Sequence, residues 1–331
     1  MTRPSLDLAG SRRLSCGPRA LEQVDLTAHV GSVTLRAPVM TASGTSGHGA
    51  ELARYLDLSA LGAVVVKSLA AQPWPGNPAP RIAPGPGGAI LNSVGLQGPG
   101  VEAWLETDLP DLLQTGAHVV ASIWGRTVGE FEQAACLLRD APSAVVAVEV
   151  NVSCPNVEDR RRMFSHSPKA TAEAVEASAA CARPLWAKLS PNVADIAEIA
   201  AAALGAGAEA ITLINTVLGM EIDVESKTPR LGGLTGGISG PPIRPVAVRA
   251  VWDCRTSFPD AAIVGVGGVA RGVDAVEMMM AGADAVQVGT ASFADPKAAA
   301  RVVVELRRWC AAHGIYRTCD LRGAAHGCAG G

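Results

Sequence analysis

Two carboxamides, a hydroxyl and a thiol are crowded into Asn151-Val152-Ser153-Cys154-Pro155-Asn156. Carboxamides orient a polar planar ligand, because each offers a donor and an acceptor at fixed spacing. A thiol can take or give a proton. The preceding Val148-Glu149-Val150 holds no Gly or Pro and reads as a β-strand. Pro155 lacks a backbone donor and restricts the residue before it, so the strand stops there. These side chains therefore sit at or just past the C-terminal end of a strand. A lone free Cys is more often a small buried hydrophobe, so the rest of the chain must decide its role.

The elements that would position them follow a rhythm. An extended pair over 24–27 and 32–35 turns through Gly31. A first strand at 38–42 runs into Ser43, and a helix over 50–56 leads to a strand at 63–66. Helices over 101–113, 128–138, 171–182 and 193–206 then alternate with strands at 119–123, 145–150, 185–189 and 210–214. Helices over 241–252, 273–281 and 296–313 enclose strands at 262–266 and 285–288. Irregular pieces, rich in Gly and Pro, interrupt this order at 71–100 and 218–240. Alternation of this kind predicts parallel strands with helical crossovers. Near-continuous apolar strands match a sheet covered on both faces. Counting from residue 38 gives eight βα units, which close a (β/α)8 TIM barrel. The expected architecture is that α/β barrel, with a short N-terminal β-hairpin and inserted loops over its C-terminal face. An open doubly wound sheet is the alternative, but no GxGxxG follows the first strand. The expected organisation is an extension over 1–22, the barrel over 23–314 and a tail over 315–331.

In a barrel the polar strand ends converge on one rim. Ser43 follows the first strand, Lys67 the second, Ser122 the third, and Asn151 with Cys154 the fourth. Lys188 ends the fifth, Asn215-Thr216 the sixth, Gly267-Gly268 the seventh and Gly289-Thr290 the eighth. The last two junctions are small and each precedes a helix, which suits a phosphate. A phosphorylated ring cofactor would then lie across the mouth, with the Lys188 ammonium beside it. Asn92, Asn151, Asn156 and Asn215 suit an imide-like heterocycle as the second ligand. The geometric expectation is that the Cys154 thiol and the Lys188 ammonium face opposite sides of that stacked pair.

Composition sets the outer limits. The 331 residues are 48% hydrophobic and 4% aromatic, with a net charge of −3. There is no basic footprint for nucleic acid, and no stretch long enough to span a bilayer. The eight Cys contain no CxxC, so no metal site is expected. Cys319, His326 and Cys328 could make a metal corner, but the flanking Gly and Ala read as a frayed tail. With no signal peptide evident, reduced thiols and a cytoplasmic location are expected.

With these residues assembled, the chain resembles the class 1 dihydroorotate dehydrogenases, most of all their NAD-linked subgroup. The motifs include Leu91-Asn92-Ser93-Val94-Gly95-Leu96-Gln97, Asn151-Val152-Ser153-Cys154-Pro155-Asn156, Lys188-Leu189-Ser190-Pro191-Asn192 and Gly236-Gly237-Ile238-Ser239-Gly240-Pro241. The resemblance implies FMN as cofactor and a dihydropyrimidine, dihydroorotate, as substrate. It makes Cys154 the catalytic base, assisted by Lys67. It places Ser43, Lys67, Ser68, Asn151, Lys188, Ile214, Gly240, Gly267, Gly268, Gly289 and Thr290 on FMN, with Ser122 where the family usually has Asn. It places Lys67, Asn92, Val94, Gly95, Leu96, Asn151, Asn156, Asn215 and Thr216 on the pyrimidine. Its NAD-linked form implies a separate iron–sulfur flavoprotein carrying FAD, with a one-chain enzyme using a soluble oxidant left open, and a homodimeric core is expected. Two further departures stand out: Gly98 replaces a common Asn, and Glu158-Asp159-Arg160-Arg161-Arg162-Met163 replaces a Gly-rich lid. They leave open a different substrate on the same flavin barrel. A non-catalytic paralogue is a third reading, against which the intact Lys67, Cys154 and Lys188 argue.

Overall fold

The computed structural model describes residues 21–154 and 162–328. Eight parallel strands form one sheet: β1 (Val39–Thr41), β2 (Val64–Val65), β3 (Val119–Ile123), β4 (Val145–Asn151), β5 (Leu185–Leu189), β6 (Ala210–Leu213), β7 (Ala262–Val266) and β8 (Ala285–Val288). Their spatial order is β1-β8-β7-β6-β5-β4-β3-β2. Loop and side-chain bonds close the ring between its two ends. Gly62 N donates to Val39 O at 2.8 Å. Thr41 Oγ1 accepts from Val65 N at 2.9 Å and donates to Val65 O at 3.3 Å. The (β/α)8 barrel expected from the alternation is the observed fold, and its strands are buried on both faces as crossover helices require.

Among the described residues these helices surround it: α1 (Val101–Thr107), α2 (Leu109–Gln114), α3 (Val128–Leu138), α4 (Pro168–Ser178), α5 (Ile196–Gly205), α6 (Arg244–Ser257), α7 (Gly272–Met280), α8 (Ala291–Ala294) and α9 (Ala298–Ala312). Among the described residues, no helix is long and apolar enough to cross a membrane. Several boundaries differ from the pattern. The helix expected at 50–56 is a pair of 3-10 turns, Glu51–Arg54 and Leu58–Ala60. Asp57 causes the break: its carboxylate accepts from Ser59 N and starts the second turn. The helix expected at 101–113 divides at Asp108, because Pro110 cannot donate back into a continuous helix.

A short hairpin, Ala28–Val30 with Val33–Leu35, plugs the bottom of the barrel. Its Val30 and Leu35 are fully buried and pack in one cluster with Met40, Trp186 and Val264. Residues 24–27 are not part of it. Asp25 N donates to Tyr316 O at 2.8 Å, and Thr318 N donates to Asp25 O at 3.1 Å. The first segment is thus paired with the last. Up to residue 328 the C-terminal segment is packed, not frayed. Thr318 and Leu321 are buried, and the His326 ring stacks on Trp252 with centroids 3.6 Å apart. His326 Nε2 lies 2.9 Å from Ala281 O, so its outer nitrogen is engaged by backbone.

The two irregular pieces combine above the C-terminal rim. Val217–Gly219, Gly236–Ser239, Ile90–Asn92 and Ile82–Pro84 form a four-stranded antiparallel sheet. The loops after β2 and β6 therefore build one shared wall.

Candidate active site

Alternation along β4 sets the site. Val148 and Val150 face the outer core, so Glu149 and Asn151 face the barrel interior. Asn151 is the centre of a hydrogen-bonded polar run at the rim. Ser43 Oγ lies 3.2 Å from Ser68 Oγ, which lies 2.8 Å from Ser122 Oγ. Asn151 Nδ2 donates to Ser68 Oγ at 3.2 Å. Asn215 Nδ2 and Ser153 N both donate to Asn151 Oδ1, each at 3.1 Å. Thr216 N donates to Asn215 Oδ1 at 2.8 Å. Five strand ends are joined by one seam of hydroxyls and amides. Each amide's oxygen accepts within the seam, which fixes the flip and leaves an N–H for a ligand.

Below the seam lies a charged layer. Lys188 Nζ donates to Glu149 Oε1 and to Gln287 Oε1, both at 3.3 Å. Gln287 Nε2 donates to Glu149 Oε2 at 2.7 Å. All three residues are buried. Thr212, which pairs with Lys188 across β5 and β6, has a buried hydroxyl with no partner among the described residues. The Ser153 hydroxyl is in the same condition. Buried hydroxyls of this kind call for a ligand or water.

The glycine junctions meet at one corner. Gly240, Gly267 and Gly268 all have positive φ. A Cβ on Gly268 would stand 3.0 Å from Gly240 O, and one on Gly240 would stand 3.3 Å from Thr290 Cγ2. Ile214 lies 3.5 Å from the Cβ position of Gly267. Ser239 ties the corner together, its Oγ accepting from Thr290 Oγ1 at 2.8 Å. Gly289 turns against Ala42 at the end of β1. Small residues at the ends of β7 and β8 leave backbone N–H groups accessible to a phosphate. The donor set as a whole fits a planar heterocycle carrying a phosphate.

The shared wall carries the remaining candidates. Asn92 Nδ2 donates to Gly237 O at 3.3 Å. A Cβ on Gly237 would overlap the Thr216 hydroxyl, which brings Asn92 and Thr216 to one place. Val94 O accepts from Asn77 N at 3.0 Å, and Gly95 packs on Asn77. Leu96 holds a φ of 61° beside them. Lys67 is half-buried between Gly47 and Ser68. Burial pushes its ammonium below the usual lysine range, and the Arg81 charge adds to this.

Cys154 is the exception to the convergence. Its side chain is fully buried, and Sγ donates to Gly125 O at 2.9 Å and Asn151 O at 3.3 Å. Burial pushes the thiol up to about 12. The sulfur thus faces two backbone carbonyls, not the seam. Asn156 and most of the 158–163 segment lie outside the described residues. Glu149, Gln287 and Ser239 were not among the expected residues. Period-two alternation was the available signal: Glu149 shares a face with Asn151, and a charge on the inner face of an apolar strand needs a partner.

Comparison with known proteins shows the family of the chain. The family model described as dihydroorotate dehydrogenase matches residues 25–309. The catalytic subunit of dihydroorotate dehydrogenase B (NAD(+)) from Geobacter sp. (strain M21) is 45% identical over 305 residues, covering 92% of this chain and 99% of that one. The protein of the same name from Desulforudis audaxviator (strain MP104C) is 48% identical over 298 residues, 90% of this chain and 96% of that one.

Proposed function

Because this chain belongs to the dihydroorotate dehydrogenase family, we propose that it oxidises dihydroorotate to orotate with FMN as its bound flavin. It is a flavin-dependent oxidoreductase of pyrimidine biosynthesis. The observation that carries the finer reading is the seam from Ser43 through Ser68 and Asn151 to Asn215, set above the Lys188 ammonium. Ser43, Lys67, Ser68, Ser122, Asn151, Lys188 and Ile214 would hold the flavin ring. Gly240, Gly267, Gly268, Gly289 and Thr290 would hold its phosphate. Bound, the flavin supplies the acceptor for the hydride that leaves C6.

The protein's own work is orientation and proton transfer. Asn92, Asn151, Asn156, Asn215 and Thr216 present amides and a hydroxyl to the pyrimidine's polar edges, with Val94, Gly95 and Leu96 shaping the wall. Lys67 brings a positive charge to an anionic substrate. Cys154, three residues beyond Asn151, takes the C5 proton as its thiolate. Burial holds that thiol mostly protonated near neutral pH. The relatives are named as catalytic subunits of an NAD(+)-linked enzyme. The reading for this chain is a homodimeric cytoplasmic core passing electrons to an iron–sulfur subunit carrying FAD.

A second reading keeps the chemistry and changes the substrate. Gly98, where the family commonly has Asn, leaves room for it: a Cβ there would stand 3.3 Å from His48 Nε2, a buried nitrogen with no partner among the described residues. Anaerobic titration of the FMN-loaded protein separates the two. Dihydroorotate bleaches the flavin on the first reading; a flavin that stays oxidised overturns it. Bleaching by dihydrouracil alone, which lacks the carboxylate, supports the second.

A further inference from the structure

Glu149 is a fully buried carboxylate in the layer of the barrel just below the seam. Such a layer is ordinarily filled by bulky apolar side chains. Here β4, β5 and β8 each contribute a polar one, and the three close a ring. Glu149 Oε1 accepts from Lys188 Nζ at 3.3 Å, Glu149 Oε2 accepts from Gln287 Nε2 at 2.7 Å, and Gln287 Oε1 accepts from Lys188 Nζ at 3.3 Å. Both carboxylate oxygens and two of the three ammonium protons are used inside the ring. Lys188 and Glu149 side chains are only 6% and 0% exposed. A buried ion pair is a poor device for stability, since apolar side chains of similar volume usually serve as well. Its presence at the foot of the site points to a different use.

We propose that Glu149 is a positioning residue for the flavin reaction, acting through Lys188. It anchors the ammonium at one point and cancels its charge. A lone ammonium near the ring would favour the negative charge that arrives on reduction. With Glu149 opposed to it, the pair is neutral as a whole, and bound FMN keeps a lower reduction potential. Gln287 serves the pair by fixing both the carboxylate and the ammonium from the far strand. The inference rests on the FMN reading above.

A double-mutant cycle tests it with Glu149→Gln, Lys188→Gln and the double variant. The midpoint potential of bound FMN is measured at pH 7 by anaerobic equilibration with redox dyes, and thermal unfolding is measured on the apoproteins. Glu149→Gln is expected to raise the potential by about 30 mV or more, a tenfold change in the two-electron equilibrium. Lys188→Gln is expected to lower it, and the double variant to lie between them. Each single variant should unfold earlier than the wild type, and the double variant should recover part of that loss. Potentials that do not move with Glu149, or that shift the same way in both single variants, overturn the proposal. If Glu149→Gln does not fold, Lys188→Gln against the double variant isolates the Glu149 charge; equal potentials there overturn it. A wild type that takes up no FMN defeats the cofactor reading alone. The apoprotein cycle then still reads the anchoring: recovery in the double variant supports it, and additive losses overturn it.

Discussion

Raising the pH should accelerate flavin reduction steeply if the Cys154 thiolate is the proton acceptor. Its side chain is fully buried, and burial pushes the thiol up to about 12. At pH 7 such a group is ionised in roughly 1 molecule in 10⁵, and at pH 9 in roughly 1 in 10³. The limiting rate of reduction by saturating dihydroorotate should therefore rise about tenfold per pH unit, about a hundredfold between pH 7 and 9, with no plateau. Anaerobic stopped-flow mixing, following the flavin absorbance, reads this directly. Cys154→Ala should retain FMN and lose about 10²–10⁴ in that rate, the usual contribution of a placed base. Cys154→Ser should keep the slope at a lower rate, because an alcohol is a weaker acid than a thiol. A plateau near pH 9 would mean that substrate binding frees Sγ from Gly125 O and Asn151 O and restores ordinary acidity. A rate that is flat from pH 6 to 9, or wild-type reduction in Cys154→Ala, would refute the assignment.

Asn151→Leu removes the acceptor of Asn215 Nδ2 and the donor to Ser68 Oγ. It should cost about 1–3 kcal/mol, seen as a lower Tm, and strip the protein of FMN; full flavin content would count against the seam as the ring's seat. Gly268→Ala forces a Cβ to 2.6 Å from Arg244 Cβ at a φ of +71°. It should lose at least about 1 kcal/mol of stability and release FMN, measured by the ratio of flavin to protein. Stability should also fall in alkali. Burial pushes Cys154 and Cys254 up to about 12 and Cys310 to about 11 from an ordinary 9.0. The folded thiols stay protonated while the unfolded chain ionises, so the loss begins above pH 9 and grows up to the folded values. At pH 10 the three together contribute about 4 kcal/mol of destabilisation, and a urea midpoint unchanged between pH 8 and 10 would contradict this.

The barrel and its rim were legible because the strands are apolar runs that end abruptly in polar residues. Ser43, Lys67, Ser122, Asn151, Lys188 and Asn215 all lie at such ends, and the fold brings them to one mouth. Pairing was less legible. The hairpin was expected from residue 24, but Asp25 finds its partners in Tyr316 and Thr318, far along the chain. Partners of buried charges were not legible either. Glu149 meets Lys188 across 39 residues and Gln287 across 138, separations that no local period encodes. The direction of the Cys154 sulfur depends on a carbonyl 29 residues away. A rotamer set by so distant a neighbour cannot be read from the loop that carries it.

The site separates orientation from charge. Its upper tier, Ser43, Ser68, Ser122, Asn151 and Asn215, is neutral, so it can hold planar rings by geometry without preferring one ionic state. Among the described residues, charge enters from two sides. Below the seam, Lys188 is opposed by Glu149, and the pair is neutral. At the rim, Lys67 has no carboxylate partner among the described ion pairs, and Arg81 adds a second positive charge nearby. Burial and that neighbour both disfavour the Lys67 ammonium, so an anionic ligand beside it would reverse each effect at once. On the proposed reading, the unopposed positive charge at the mouth would favour an acidic substrate. The opposed one beneath leaves the flavin's own charge nearly undisturbed.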